Sequence, residues 1–145
     1  MQHNREQYMN AALVQAREAY AQGEVPVGAV VVCNGQIIAA AHNLTETLGD
    51  VTAHAEMQAI TSAANYLGGK YLTECALYVT VEPCVMCAGA IFWAQVKEVV
   101  YGATDDKRGF TRFAPSALHP KATVVSGVLE KECSELMTEF FKEKR

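Results

Sequence analysis

Apolar residues recur at helical spacing in separate stretches of the chain, each bounded by glycine or proline. Near the amino end this spacing predicts a first helix over about 5–22, with Gly23 as its stop. A second helix is predicted over 53–67. Pro83 opens a third that runs to about residue 95, since proline is favoured at a first helical position. An amphipathic helix is predicted over 129–141 at the carboxyl end.

The stretches between the helices are typical of strands. Apolar, mostly β-branched residues over 25–32 predict a strand covered on both faces, because apolar side chains lie on both sides of the pleat. Asn34-Gly35 is a two-residue hairpin signal before a partner strand over 36–41. Short strands are also predicted over 76–81, 99–102 and 123–125. Helices that alternate with strands predict an α/β layered domain with helices on both faces of a central sheet.

Composition narrows the class of protein. The chain has 145 residues without internal repeats, and we expect one domain over 1–145. It has no run of about 18 apolar residues, and its polar amino end lacks a secretory signal, so we expect a cytoplasmic protein without a membrane partner. Five cysteines, an odd number, argue against a disulfide framework. A net charge of −4 does not suggest a general nucleic-acid binder, although a local basic patch is compatible with it.

Two short motifs each lie at the predicted start of a helix: His54-Ala55-Glu56 and Pro83-Cys84-Val85-Met86-Cys87. Cysteines three apart on a helix share a face, and the helix dipole stabilises a thiolate near a helix N-terminus. Zinc accepts mixed sulfur and imidazole ligands, and a catalytic zinc keeps one of four positions for water. The two cysteines and His54 form a three-ligand set of that kind.

Each motif alone allows another interpretation. A single C-x-x-C also suits a redox pair, and a structural zinc site would need a fourth ligand, for which His42, His119 and Cys33 are candidates. The combination is more specific, because H-x-E followed about 30 residues later by P-C-x-x-C is the signature of zinc deaminases. His54 and Glu56 can share such a site only if the helix begins there, since residues two apart on a helix point to nearly opposite sides.

Longer stretches carry a resemblance to a known family. They are E-V-P-V-G-A-V over 24–30, T-A-H-A-E over 52–56, L-Y-V-T-V-E-P-C-V-M-C-A-G-A over 77–90, V-Y-G-A over 100–103 and G-V-L over 127–129. Together they resemble the cytidine deaminase superfamily, and most closely its bacterial tRNA-specific adenosine deaminases. The resemblance spans nearly the whole chain. It implies a three-layer α/β/α cytidine-deaminase-like fold with a mixed five-stranded sheet, a homodimer, and the wobble adenosine of a tRNA anticodon as substrate.

The resemblance also implies roles for individual residues. One zinc ion per chain would be held by His54, Cys84 and Cys87, and Glu56 would carry protons between water and base. The hydroxide supplied at the zinc would attack C6 of adenine, and ammonia would leave, so that adenosine becomes inosine.

Four more residues match substrate contacts of the family. Asn43 would hydrogen-bond the target nucleoside, Pro26 and Val27 would line the pocket beside the base, and Asp105 would contact the RNA.

The sequence departs from the familiar pattern where the substrate would be recognised. Residues 107–115 differ from many bacterial members, and Phe92-Trp93 resembles the related guanine deaminases. A deaminase of free guanine or cytosine therefore remains an alternative, as does a non-catalytic zinc-stabilised binding module. Within 107–113, three basic residues alternate with Phe110 and Phe113, a composition that suits phosphate neutralisation and base stacking but also a solvated loop over core phenylalanines.

Overall fold

Five strands form one mixed sheet in the order β2-β1-β3-β4-β5. The computed structural model describes residues 2–144, without the side chains of Gln2 and His3. The central strand β3 pairs antiparallel with β1 and parallel with β4, while β2 and β5 extend the two sides. The strands are β1 (Gly28–Cys33), β2 (Gln36–His42), β3 (Cys75–Val81), β4 (Glu98–Ala103) and β5 (Thr123–Val125).

Helices cover both faces of this sheet. They are α1 (Gln2–Ala21), α2 (Thr45–Leu48), α3 (Ala55–Leu67), α4 (Val85–Ala94), α5 (Phe110–Phe113) and α6 (Glu130–Glu143). The helices α1 and α6 pack on one face, and α3 and α4 pack on the other. The predicted three-layer α/β/α arrangement with a mixed five-stranded sheet is therefore confirmed.

The strands alternate their side chains between two apolar cores. In β1, Val31 joins the core under α3 and α4, whereas Val30 and Val32 join the core under α1 and α6. In β3, Val79 and Tyr78 divide in the same way. Because both faces of the sheet are covered, β1 is a continuous run of apolar residues, as the sequence predicted.

The predicted Asn34-Gly35 turn joins β1 to β2. Both residues have positive φ, +52° and +75°, which are the angles that a type I′ hairpin turn requires at its two central positions. Glycine adopts this region without strain, and asparagine tolerates it better than most residues. The turn therefore pairs β1 with β2 through purely local chemistry.

One edge of the sheet gathers the ends of four strands. The register places Gly28 of β1 opposite His42 of β2, and Val81 of β3 opposite Ala103 of β4. The Gly28 N–H donates to the Thr80 hydroxyl across this edge at 3.1 Å. Ligand sites of α/β sheets lie outside the carboxyl ends of their parallel strands, which here are the ends of β3 and β4.

Some predicted boundaries differ from the observed ones by two or three residues, and three of them have a structural reason. The first strand begins at Gly28, because the Val27 N–H bonds back to the Val25 carbonyl at 2.8 Å and leaves this segment as a turn. Helix α3 begins at Ala55, two residues later than predicted. Helix α4 begins at Val85 rather than Pro83, because Pro83 accepts a hydrogen bond from the Phe110 N–H and the next residue is extended.

The short helices α2 and α5 were not predicted. No helix within residues 2–144 combines the length and the apolar character that crossing a membrane requires.

Candidate zinc centre

Two helices begin side by side at the carboxyl edge of β3. His54 is the residue directly before α3, with extended backbone angles of φ −71° and ψ 156°. Cys84 stands in the same position before α4, with φ −75° and ψ 175°. Cys87, in the first turn of α4, is fully buried. The helix start at His54 is the condition under which His54 and Glu56 can serve one site.

Three side chains converge between these helix starts. The Nδ1 atom of His54 lies 3.7 Å from the Cys84 sulfur and 3.5 Å from the Cys87 sulfur. All three ligand atoms lie within 4.8 Å of one another. Tetrahedral bonds of about 2.3 Å to sulfur and about 2.05 Å to nitrogen place neighbouring ligand atoms about 3.6 Å apart. The predicted ligands therefore form a triangle of the size that one zinc ion requires.

The protonation of the two thiols also suits a cation. A hydrogen bond from the Cys87 thiol and the neighbouring His54 together lower the pKa of Cys84 to about 4. The bond to Cys84 raises the pKa of His54, whereas sharing one proton with Cys84 raises the pKa of Cys87. The lowered pKa favours the ionised form of the Cys84 sulfur, and a bound dication would favour the ionised form of the Cys87 sulfur as well.

Glu56 is buried beside the triangle but is not part of it. Its side chain is 4 % exposed, and it is not among the ligand atoms that share the 4.8 Å group. Burial raises the pKa of Glu56 to about 7, and the negative charge of Cys84 acts in the same direction. A carboxyl group with such a pKa can both accept and return a proton near neutral pH.

The other candidate ligands lie elsewhere. His42 contacts the Asn43 carbonyl, His119 accepts the Lys121 N–H, and Cys33 lies opposite Cys75 on neighbouring strands. Among the side chains that the structure describes, only His54, Cys84 and Cys87 form a metal-sized group of three or more. A fourth protein ligand is therefore absent from this part of the chain. The arrangement is that of a catalytic zinc site with one position for water, not of a closed structural site.

Asn43 lies beside the ligand His54. The Leu44 N–H donates to the Ala53 carbonyl at 2.9 Å, which joins the chain after Asn43 to the chain before His54. The Asn43 N–H donates to the Val27 carbonyl at 3.1 Å, and its amide side chain bridges the Val25 carbonyl and the Thr45 N–H. The structure thus brings Asn43 and Val27 to the same side of the zinc triangle.

The segment after β4 lies on the opposite side. One carboxylate oxygen of Asp105 accepts the N–H groups of Lys107 and Arg108, both at 3.0 Å, so it shapes this turn. Lys107 and Arg108 themselves are exposed.

Of the two interpretations of Phe110, base stacking or packing in the core, the structure supports packing in the core. Phe110 is 2 % exposed because it packs edge-on against Tyr101 in the core. Phe113 is 62 % exposed, with the Arg112 guanidinium over its ring, and it remains available for a base.

Two buried glutamates that support this site, Glu24 and Glu82, were not predicted from the sequence. Glu24 accepts the Glu46 and Thr47 N–H groups and the Thr47 hydroxyl, and Glu82 accepts an equivalent set. Burial opposes ionisation of Glu24, but the bonds from Thr47 and Glu46 outweigh it and lower its pKa. The sequence does carry a signal for both residues, because each is a charged residue next to an apolar run and shortly before a proline.

Comparisons with known proteins define the class of this protein. Residues 2–103 match the family model of the cytidine and deoxycytidylate deaminase zinc-binding region. A tRNA-specific adenosine deaminase of Bacillus subtilis is 48% identical over 145 residues, which cover 97% of this chain and 90% of that protein.

Solved structures agree with this class. A tRNA:A34 deaminase studied for A-to-I editing at the wobble position is 44% identical, with a TM-score of 0.85 over 90% of this chain and 98% of that one. A guanine deaminase of Nitrosomonas europaea is 27% identical, with a TM-score of 0.84 over 93% of this chain and 83% of that one. The chain therefore belongs to the zinc-dependent deaminases of the cytidine deaminase class, on their tRNA-specific adenosine deaminase branch.

The ligand geometry predicts the metal content. Protein expressed with ample zinc should carry about one zinc ion per chain, because three ligands and one water complete its coordination. Cys87→Ala should lose both the metal and the activity. Cys75→Ala, which removes a buried thiol outside the triangle, should keep both. Elemental analysis of the purified variants measures this, and a wild-type content well below one zinc ion per chain would contradict the assignment.

Proposed function

We propose that the chain converts adenosine to inosine at the wobble position of a tRNA anticodon. The observation that carries the proposal is a zinc-sized His54–Cys84–Cys87 triangle beside the buried Glu56, in a chain whose relatives over nearly the full length are tRNA-specific adenosine deaminases. An anticodon loop offers an unpaired base, so the cost of drawing that base out of its stack is small. A tRNA substrate also fits the cytoplasmic location and the single domain that we propose.

In this mechanism the protein holds the metal and moves the protons. His54, Cys84 and Cys87 would hold the zinc ion, which would supply a water whose pKa is lowered toward neutrality. Glu56 accepts a proton from that water and delivers it to N1 of the adenine, as oxygen adds to C6. Glu56 then transfers the remaining hydroxyl proton to the C6 amine, which leaves as ammonia while the C6 carbonyl forms. Adenosine and water thus yield inosine and ammonia, and Glu56 ends in its starting state.

The proposed substrate contacts lie on either side of the triangle. Asn43 would bind the nucleoside, and the buried Pro26 with the half-buried Val27 would form the pocket wall beside the base. The hydrogen bonds that Asn43 makes to neighbouring backbone hold its amide in one orientation, which supports a role in positioning. Asp105 would contribute mainly through the turn that it shapes, where Lys107 and Arg108 can reach phosphates.

A deaminase of a free base is the second candidate. The likeness to a guanine deaminase and the Phe92–Trp93 pair on α4 favour it. Trp93 is 77 % exposed, however, whereas a side chain that stacks on a small base would be enclosed with it. Identity of 48% to a tRNA-specific adenosine deaminase over 97% of this chain makes the RNA substrate the better-supported choice.

Ammonia release distinguishes the two substrates. The zinc-loaded enzyme should deaminate an anticodon stem-loop with adenosine at the wobble position. It should act far more slowly on guanine, cytosine or free adenosine, because these lack the flanking nucleotides that the protein would bind. A stem-loop with guanosine at that position is the matched control. Ammonia from guanine or cytosine, without inosine from the stem-loop, would select the free-base function.

The division of roles between ligands and Glu56 is testable in one variant. Glu56→Gln keeps the size of the side chain but cannot carry protons, so activity on the stem-loop should fall by about 10²- to 10⁴-fold. The zinc content should stay at the wild-type value, because Glu56 is not a ligand. Activity and elemental analysis of one preparation measure both. Loss of zinc together with activity would show that Glu56 helps to hold the metal.

We also propose that the protein is a homodimer that uses the outer face of α4. The sequence of α4 is VMCAGAIFWA, without a charged residue. A helix that is apolar all round is normally buried, yet Val85, Met86 and Trp93 are exposed here. Gly89 and Ala90 lie between them on the same face and leave it flat. A second copy of the chain would cover this face with an identical one.

The proposed dimer predicts that one charged side chain placed in its interface will separate the two copies. Trp93→Glu should convert the protein to a monomer, since the carboxylate would be buried against its copy. Val14→Glu, an exposed apolar position on α1 across the sheet, should leave the mass unchanged. Analytical ultracentrifugation measures both, with a wild-type mass near twice the 15.7 kDa of one chain as the expected result. A monomeric wild-type protein would contradict the dimer.

A further inference from the structure

We propose that Glu82 is a positioning residue for the substrate: it fixes the segment 105–113, named here the recognition segment, to the backbone of the zinc ligand Cys84. The inference rests on the proposed tRNA function. Glu82 lies between the end of β3 and Pro83, and it is 5 % exposed. It touches neither zinc ligand atoms nor substrate in this proposal, and it acts through the residues that it holds.

One carboxylate anchors both ends of the exposed turn. The Glu82 Oε1 atom accepts the Asp105 N–H at 3.0 Å. Its Oε2 atom accepts the Thr111 N–H at 3.0 Å and the Thr111 hydroxyl at 2.6 Å. One side chain thus collects three hydrogen bonds from two points that are six residues apart in the chain. Between the two anchored ends lie Lys107 and Arg108, the basic side chains proposed to reach the RNA.

Backbone contacts join the same turn to the metal site. The Phe110 N–H donates to the Pro83 carbonyl at 2.9 Å, and Gly109 pairs with Cys84 in an isolated antiparallel bridge. The recognition segment is therefore bonded directly to the backbone of the zinc ligand Cys84 and of the residue before it. A displacement of this segment would change the distance between bound phosphates and the metal.

Gly109 is the residue that permits this arrangement. A Cβ atom at this position would lie 2.3 Å from the Glu82 carboxyl carbon and 2.6 Å from the Asp105 carbonyl oxygen. Neither group can yield, because the carboxyl is held by three donors and the carbonyl accepts the Gly109 N–H. Only glycine lets the turn close onto the carboxylate.

The consequence for the reaction is preorganisation. An exposed turn with basic side chains would otherwise sample many conformations, and ordering it on binding would weaken affinity for the RNA. Anchoring both ends before the RNA arrives reduces that cost and keeps Arg108 at a fixed distance from the zinc. The effect falls on recognition of the RNA, so it should alter KM more than kcat.

A pair of variants at Thr111 tests the proposal without disturbing the core, since Thr111 is exposed. Thr111→Val has nearly the same shape but loses the hydroxyl bond to Glu82. We expect its KM for the anticodon stem-loop to rise about threefold to tenfold, with zinc content retained and kcat little changed. Thr111→Ser restores the hydroxyl and should rescue KM. Thr138→Val, which removes a hydroxyl bond on α6 across the sheet, controls for the substitution itself.

A double-mutant cycle separates positioning from a merely structural role. If Glu82 acts through Arg108, the KM effects of Thr111→Val and Arg108→Ala should be clearly less than multiplicative when combined, because an unanchored turn no longer presents Arg108 correctly. A structural role alone would lower the melting temperature of Thr111→Val and leave KM equal to that of Thr111→Ser. That equality, or independent effects in the cycle, would overturn the proposal.

The same measurements separate this inference from the function on which it rests. Wild-type protein that does not deaminate the stem-loop would overturn both. An active wild-type protein with identical Thr111→Val and Thr111→Ser variants would overturn only the role of Glu82.

Discussion

The zinc triangle depends on one constraint, which is that two helices must begin at the same edge of one sheet. His54 and Cys84 are each the extended residue directly before a helix, so their side chains project past the helix end and toward each other. A shift of either start by one turn would move its ligand by about 5.4 Å, more than the spacing of the ligand atoms. The loops that lead into α3 and α4 therefore matter as much as the ligands themselves. The sheet serves this site by fixing where those loops start.

Buried carboxylates hold the first turns of the short helices α2 and α5. Neither α2 nor α5 has a side-chain cap from the residue before it. Asn43 accepts the first N–H of α2, and Glu24 accepts the next two from 22 and 23 residues away. Glu82 accepts one N–H of α5 across 29 residues. A carboxylate near a helix N-terminus is favourable both as an acceptor and through the helix dipole. These long-range bonds stabilise short helices that would not form alone.

This explains which parts of the structure could be predicted from the sequence. The long helices, the Asn34-Gly35 turn and the zinc ligands follow from residues near one another in the chain. The helices α2 and α5 have no apolar period, and most of the bonds that hold their first turns come from distant residues. Phe110 resembled a stacking residue among basic neighbours, and only its packing against Tyr101 reveals it as core. The start of α4 was predicted two residues early because proline commonly begins helices, whereas here Pro83 is held in the chain that pairs with the recognition segment.

The net charge of −4 does not oppose an RNA substrate, because the charges that act on the substrate are local. Screening limits the reach of exposed charges to about 10 Å at ordinary salt. Beside the recognition segment, the buried carboxylate of Glu82 accepts three hydrogen bonds. One carboxylate oxygen of Asp105 accepts two backbone N–H groups. These acids are turned toward the protein, which leaves Asp106 as the exposed acid of the turn. The basic side chains of the same segment face solvent: Lys107, Arg108 and Arg112. The inward-facing acids thus order the turn, while the exposed basic side chains set the potential that an RNA phosphate meets. The segment therefore presents a basic surface on a chain whose net charge is negative.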